Sequence, residues 1–140
     1  MSPAVAVVDI GSNSIKVLVA ARDASGVITE LKSRTIDARI SAGISKSEPK
    51  LSEEGMARGL AAIQELLADT KPFSPAIVVL VATSAVRDAG NGAVFRAKVK
   101  TATGHDIRIL TGDEEANLIG RGLTCDPGLA DLKDFYVFDL

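Results

Sequence analysis

The sequence predicts an α/β domain whose sheet starts with antiparallel strands and continues with parallel ones. The stretch Val5–Ala20 reads VAVVDIGSNSIKVLVA, two apolar runs joined by a short Gly/Ser/Asn loop, which indicates a β-hairpin. The stretch Ala76–Ala82 reads AIVVLVA, and such a continuous apolar run is typical of a parallel strand covered on both faces. Apolar residues at helical spacing lie before and after that run.

The N-terminal third of the chain is predicted to form three antiparallel strands. The first two strands cover Ala4–Ile10 and Ile15–Ala21, and the third covers Val27–Ile36 after a turn at Asp23–Gly26. The polar stretch Asp37–Leu51 contains glycine, proline and several serines, and is therefore predicted to be a loop. Its composition indicates no chemistry.

The next element is a helix that begins at Ser52. A hydroxyl side chain followed by Glu53 and Glu54 is typical of a helix N-terminus. Pro72 prevents the helix from continuing. The residues predicted to face the core recur at helical spacing: Met56, Leu60, Ile63 and Leu67.

A second helix is predicted after the buried strand. Asn91 is expected to cap it, and Gly104 is expected to end it after Thr103. The residues expected to face inward are Phe95, Val99 and Ala102. A short strand then covers Asp106–Leu110.

A further helix is predicted to open at Thr111, which forms a capping-box pattern with Glu114. The C-terminal stretch Phe135–Leu140 reads FYVFDL and predicts another strand. Its VFDL resembles VVDI of the first strand, so residues 1–134 would form one domain and 135–140 the first strand of a truncated second one. Coincidence explains four letters about as well.

Composition excludes several classes of function. Hydrophobic residues make up 46% and charged residues 24% of the 140-residue chain, and the formal net charge is −2, which is typical of a globular domain. This balance gives no support for binding to nucleic acid or a membrane surface, and no apolar stretch reaches about 18 residues. Cys125 is the single cysteine, so we expect a reducing, cytoplasmic environment.

The hairpin loop is the first candidate site. Asp9 follows an almost wholly apolar run, and Gly11–Ser14 come next. A turn of this type can direct successive backbone N–H groups at one phosphate, and a neighbouring carboxylate would suit Mg²⁺ bound with that phosphate. The alternative is an ordinary hairpin in which the aspartate caps its own loop.

The second candidate site follows the buried strand. Polar residues Thr83–Asp88 leave the carboxyl end of that strand, which is where open α/β sheets bind ligands. The guanidinium of Arg87 presents a fork of donors that suits phosphate oxygens. Alternatively, Arg87 pairs with Asp88 or Glu115.

The complete chain resembles one phosphatase family in four motifs. These are VVDIGSNSIKVLVA at 7–20, LSEEGMARGL at 51–60, ATSAVRDAGN at 82–91 and ILTGDEEANLIGRG at 109–122. They are similar to the N-terminal domain of the exopolyphosphatase and guanosine pentaphosphate phosphatase (Ppx/GppA) family, within the actin-like ATPase superfamily.

The resemblance implies a ribonuclease-H-like domain: a mixed five-stranded sheet with three antiparallel strands, then parallel strands, and helices on both faces. It also implies a second, similar domain of the same chain, with the active site in the cleft between the two. The implied reaction is Mg²⁺-assisted removal of a terminal phosphate from polyphosphate or from guanosine pentaphosphate.

The resemblance also assigns residues. The catalytic base falls on Glu115, the phosphate-contacting arginine on Arg87, and the phosphate loop on Gly11, Ser12, Asn13 and Ser14. Asp9 and Asp139 fall where the family places metal-adjacent or phosphate-adjacent acids. Glu114 has the better capping position, so we assign it a supporting structural role.

Four alternatives stay open on the sequence. Without the resemblance, Glu115 would be interpreted more simply as an acid in the first turn of its helix that complements the helix dipole. The hairpin loop is also found in sugar kinases and ATPases of the superfamily, and a non-enzymatic domain that binds polyphosphate or guanosine tetraphosphate would carry the same loop. A homodimer that pairs through the terminal strand is also conceivable.

Overall fold

The computed structural model of the chain describes residues 4–42, 47, 49–111 and 113. The strands are β1 (Ala4–Ile10), β2 (Ile15–Arg22), β3 (Ile28–Ile36), β4 (Ile77–Ala82) and β5 (Ile107–Ile109). The helices are α1 (Glu53–Thr70), α2 (Ser84–Asp88) and α3 (Gly92–Thr103), and a single 3₁₀ turn (Lys71–Phe73) follows α1.

The strands form one mixed sheet in the order β3-β2-β1-β4-β5. β1 pairs with β2 and β2 with β3 in antiparallel fashion, whereas β1 with β4 and β4 with β5 are parallel. This confirms the predicted ribonuclease-H-like sheet, with three antiparallel strands followed by parallel ones. The five strands predicted between Ala4 and Leu110 are all present, and each end differs from its prediction by at most one residue.

One face of the sheet packs against the helices and forms one side of the hydrophobic core. Val8 pairs with Val17 on one side and with Leu80 on the other, and Leu80 pairs with Ile107. These four side chains are buried. The helix residues buried with them in the same core include Ile63, Leu66, Phe95 and Val99.

The opposite face carries the alternate residues of the same strands. Val7 pairs with Leu18 and Val79, and Leu18 remains 37% exposed. In the described ranges, the two long helices α1 and α3 contact each other and share the core of the first face. The helix predicted from Thr111 onward lies outside the described residues except for its start.

α1 begins as predicted. The hydroxyl of Ser52 accepts a hydrogen bond of 2.9 Å from the backbone N–H of Gly55, which satisfies one of the unpaired donors of the first turn. The predicted core residues Met56 and Ile63 are buried, and Leu60 and Leu67 are partly buried against the core.

Two glycines allow α1 to approach its neighbours closely. A Cβ at Gly55 would lie 2.6 Å from the carbonyl oxygen of Ile40, and one at Gly59 would lie 2.8 Å from Cγ2 of Ile40 and 3.0 Å from the ring of Phe95. A larger side chain at either position would push the helix away from the segment around residue 40 or from α3.

Two predictions about the helices need correction, and one short helix was not predicted. The side chain of Asn91 does not cap α3: its amide donates to the carbonyl of Leu51 at 2.9 Å and accepts from the N–H of Leu51 at 2.8 Å. It therefore satisfies the backbone of a loop forty residues away in the sequence. Ala102 is exposed and not inward-facing. The short helix α2 was not predicted, because the sequence of its five residues lacks an apolar period.

The predicted turn between β2 and β3 is held by Asp23. Its carboxylate accepts hydrogen bonds from the hydroxyl of Ser25 at 2.6 Å, the N–H of Val27 at 2.9 Å and the N–H of Ser25 at 2.9 Å. These donors, the Ser25 hydroxyl first, lower the pKa of Asp23 below its ordinary value of 3.8. The turn is therefore stabilised above that pH and loses these bonds as the pH falls through the lowered pKa.

We expect Gly55→Ala to destabilise the protein by about 1–3 kcal/mol, because the new methyl group meets a backbone carbonyl that cannot rotate away. Helix propensity alone would change stability by about 1 kcal/mol in the opposite direction. The measurement is urea-induced unfolding followed by circular dichroism.

The matched control is Ala57→Gly on the exposed face of the same helix, which reports the propensity effect alone, a loss of about 1 kcal/mol. A Gly55→Ala protein as stable as the wild type, or more stable, would contradict the close approach between α1 and residue 40.

Candidate functional site

The candidate site lies where the parallel strands end. Ile10 pairs with Ala82, and Ala82 pairs with Ile109, so the carboxyl ends of β1, β4 and β5 are side by side. The N–H of Thr83 donates to the carbonyl of Ile10 at 3.4 Å, and the N–H of Leu110 donates to the carbonyl of Ala82 at 2.9 Å. The loops that follow these three strands therefore open from one edge of the sheet.

Arg87 lies between two of these loops. α2 starts at Ser84, soon after β4 ends. The N–H of Arg87 in α2 donates to the carbonyl of Thr83 at 3.0 Å. One terminal nitrogen of the guanidinium donates to the carbonyl of Leu110 at 2.9 Å, and Nε lies 3.3 Å from the carboxylate of Asp88. An arginine has further N–H donors, and this side chain is 30% exposed, so it can still bind an oxyanion.

The tip of the first hairpin is closed by its own backbone. The N–H of Gly11 donates to the carbonyl of Ser14 at 3.0 Å, so Gly11 shapes the loop and does not offer its N–H to a ligand. A Cβ at Gly11 would lie 3.0 Å from that carbonyl oxygen, closer than most side chains tolerate. Within the described ranges, no hydrogen bond is made by the N–H groups of Ser12, Asn13 and Ser14. These three remain as donors for a phosphate.

The carbonyl groups of the loop are hydrogen-bonded to another segment of the chain. The carbonyl of Ser12 accepts hydrogen bonds from the N–H of Ser41 at 3.3 Å and from its hydroxyl at 3.0 Å, and that of Asn13 accepts one from the N–H of Arg39 at 2.9 Å. We call residues 38–41 the clamp segment. The clamp segment thus binds carbonyl groups of the loop, and these contacts use none of the loop N–H groups.

The clamp segment is itself tied to α1 by Arg58. Its Nε donates to the carbonyl of Ala38 and its terminal nitrogen to that of Arg39, both at 2.9 Å. The composition of this part of the chain indicates no chemistry, and neither the clamp segment nor Arg58 was predicted to belong to the site. No compositional signal identifies them, since the contacts join residues about 20 to 30 positions apart.

Asp9 occupies the opposite face of the sheet from the core. It pairs with Lys16 in β2 and with Val81 in β4, and both charged side chains are exposed. In the part of the chain that the structure describes, no three His, Cys, Asp or Glu residues form a group that could hold a metal ion. A single carboxylate still suits Mg²⁺, which commonly takes one or two protein carboxylates together with substrate phosphate oxygens and water.

Three predicted site residues lie outside the described residues: Glu114, Glu115 and Asp139. The strand predicted at 135–140, and with it the predicted domain boundary, also lies there. Leu110 comes five positions before Glu115 in the sequence and accepts the hydrogen bond from Arg87. Convergence of Glu115 with Arg87 and the hairpin tip stays a prediction.

Among the helices that the structure describes, none is long and apolar enough to cross a bilayer.

Comparison with known proteins shows similarity to one family. A family model described as the Ppx/GppA phosphatase family matches residues 18–130. The PPX-GPPA enzyme of Aquifex aeolicus is similar to the chain with 25% sequence identity and a TM-score of 0.76 over 83% of the chain. An exopolyphosphatase from Cytophaga hutchinsonii gives 24% identity and a TM-score of 0.81 over 86% of the chain. An exopolyphosphatase-like protein gives 29% identity and a TM-score of 0.77 over 84%.

The matched part is a minority of each of these structures. The chain corresponds to 38% of the Aquifex and Cytophaga proteins and to 35% of the exopolyphosphatase-like protein. The similarity therefore concerns one portion of longer proteins.

We expect Gly11→Ala to lower the free energy of unfolding by about 1–3 kcal/mol, since the methyl group crowds the Ser14 carbonyl and opens the loop. Because that loop binds the clamp segment, the amide resonances of Arg39 and Ser41 should shift in a two-dimensional NMR spectrum.

Gly26→Ala, in the turn between β2 and β3, is the control. Gly26 has a φ of +91°, so alanine there costs about 1–2 kcal/mol without touching the clamp segment. If Gly11→Ala leaves the resonances of residues 39 and 41 unchanged, the loop and the clamp segment are not coupled as described.

Proposed function

The chain belongs to the Ppx/GppA phosphatase family, and we propose that it supplies one half of the active site of a hydrolase that removes the terminal phosphate from inorganic polyphosphate or guanosine pentaphosphate. The observation that carries the proposal is geometric. The free amides of the hairpin tip and the guanidinium of Arg87 open from the same edge of the sheet.

Phosphate binding is the role proposed for these two elements. Phosphoryl transfer is catalysed mainly by alignment and by neutralisation of charge on the non-bridging oxygens. In our proposal the N–H groups of Ser12, Asn13 and Ser14 bind one phosphate, and Arg87 binds further oxygens. Both are held by backbone contacts before substrate arrives, so little reorganisation is needed during the reaction.

Water activation is the role proposed for Glu115. Its carboxylate takes a proton from a water molecule, the water oxygen forms a bond to the terminal phosphorus, and the bond from phosphorus to the bridging oxygen breaks. The products are inorganic phosphate and a substrate shortened by one phosphate. Glu114 is the acid at the capping position, so we propose that it orders the helix start and not the water.

Mg²⁺ is the proposed cofactor, with Asp9 and Asp139 as candidate ligands. When bound, it would neutralise phosphate charge and orient the substrate. The described part of the chain offers Asp9 alone of these two, so we propose that the ion arrives with the substrate's phosphate oxygens and is held by few protein groups.

The second half of the cleft is proposed to come from further residues of a longer protein. The solved relatives are more than twice as long as the part that the chain matches. In this proposal the partners are the phosphate substrate and that second domain, and the setting is the cytoplasm, where a single cysteine stays reduced.

We expect Glu115→Gln in the full-length protein to reduce phosphate release by on the order of 10²–10⁴-fold, the range for loss of a positioned general base. The amide keeps the size of the side chain but cannot accept the proton. Released phosphate is measured with polyphosphate and with guanosine pentaphosphate, with and without Mg²⁺.

Glu114→Gln is the matched control, because it changes the neighbouring acid in the same way. We expect it to lose little activity and at most a few tenths of a kcal/mol to about 1 kcal/mol of stability. Near-normal turnover by Glu115→Gln, with an unchanged far-ultraviolet circular dichroism spectrum, would remove Glu115 as the base.

We expect the 140-residue chain alone to hydrolyse neither substrate at a rate near that of the full-length protein. Half of the proposed cleft is then missing, and positioning of the reacting groups can account for several orders of magnitude in rate. Robust phosphate release by the 140-residue chain would show that the site is complete within it.

A further inference from the structure

A second polar pocket adjoins the hairpin tip. It is open to solvent, has a volume of about 440 Å³ and is lined by Asn13, Asp37, Arg39, Ser41 and Ala42. Asn13 belongs to the proposed phosphate loop, and its carbonyl binds the N–H of Arg39. The pocket is thus continuous with the loop on the side of the clamp segment.

Arg39 has an unusual backbone in this pocket. Its φ is +49°, in the left-handed region that non-glycine residues adopt infrequently and at a cost. Its N–H donates to Asn13, and its carbonyl accepts hydrogen bonds from Arg58 at 2.9 Å and from the N–H of Ala42 at 3.1 Å. Contacts from several elements therefore hold it in this conformation, a pattern that is frequent at functional sites.

The side chain of Arg39 contributes nothing visible to the fold. It is exposed, and within the described ranges its guanidinium forms no ion pair or hydrogen bond. By contrast, Arg34 is paired with Glu65 and Asp69, and Arg58 holds two carbonyls. A strained arginine whose charge has no partner among the described residues is better explained by a ligand than by stability.

We propose that Arg39 is a substrate-binding residue that holds a second phosphate group of a polyphosphate chain, next to the phosphate at the hairpin tip. This inference rests on the proposed function and deepens it. Successive phosphates of polyphosphate are linked through one oxygen, so a chain bound at the tip places its next phosphate within the adjoining pocket. Arg39 offers that phosphate a planar fork of donors, and Asn13 and Ser41 add polar groups to the same pocket.

The role differs from that of Arg87. A phosphate remote from the bond that breaks has the same charge before and during the reaction, so Arg39 contributes equally to binding of substrate and transition state. Loss of Arg39 therefore raises KM for polyphosphate and leaves kcat nearly unchanged. Asp37, the acid in the pocket, repels the same phosphate and has the opposite effect on KM.

The test is Arg39→Gly in the full-length protein, with phosphate release from polyphosphate measured over a range of concentrations. Glycine removes the charge and adopts positive φ without cost. We expect KM to rise at least about tenfold, as for loss of a charge-assisted hydrogen bond, kcat to change by less than about twofold, and the melting temperature to stay the same or increase. A residue that served only the fold would give a lower melting temperature.

Three further variants complete the design. Arg39→Lys keeps the charge and should recover part of the KM. Asp37→Asn should lower KM. Lys98→Ala removes an exposed charge from α3, away from the pocket, and should change neither constant.

The outcomes separate this inference from the proposed function. If the wild-type protein releases phosphate from polyphosphate but Arg39→Gly has an unchanged KM, the inference is overturned and the proposed function stands. If Arg39→Gly and Asp37→Asn shift KM in the same direction, charge in the pocket is not responsible and the inference is also overturned. If the wild-type protein releases phosphate from guanosine pentaphosphate but not from polyphosphate, the inference is overturned and the proposed function stands. If it releases phosphate from neither substrate, both are overturned.

Discussion

The candidate site depends on hydrogen bonds between the clamp segment and the carbonyls of Ser12 and Asn13. A short loop between two strands has more backbone donors and acceptors than it can pair internally. Here the carbonyls of Ser12 and Asn13 are bound by a neighbouring segment, and the N–H groups of Ser12, Asn13 and Ser14 have no partner among the described residues. This imbalance supports the phosphate-binding role proposed for the loop, which contains no charged side chain.

The clamp segment is held in turn by the packing of α1. Arg58 binds its carbonyls from the helix, and Gly55 lets the helix backbone approach Ile40. Buried apolar contacts beneath α1, such as those of Ile63 and Leu66 with the sheet, supply the stability that keeps these polar contacts in place. The core and the site are therefore connected through α1. We expect a change in the position of α1 to shift the clamp segment and, with it, the loop.

The other side of the site is built from a different set of long-range contacts. Arg87 bridges from α2 to the carbonyl of Leu110, and Asn91 satisfies the backbone of Leu51 with both atoms of its amide. Each contact joins two segments that are distant in sequence, 23 positions apart for Arg87 and Leu110 and 40 for Asn91 and Leu51. The edge thus has a fixed shape, which is the condition for binding phosphates by position as well as by charge.

The sequence by itself determined the strands, the two long helices, and the position of Gly11–Ser14 and Arg87 at strand ends, because periodicity, glycine and capping residues act over a few neighbouring positions. It also carried the family through four motifs. Only the tertiary structure decided which carbonyls of the loop are bound by the clamp segment. It also decided that the side chain of Asn91 binds the backbone of Leu51 and does not cap its own helix, and that Arg39 lines the same pocket as Asn13. These facts arise from contacts between segments about 20 to 40 residues apart, and their partners leave no periodic trace in the sequence because the fold, not the local chain, brings them together.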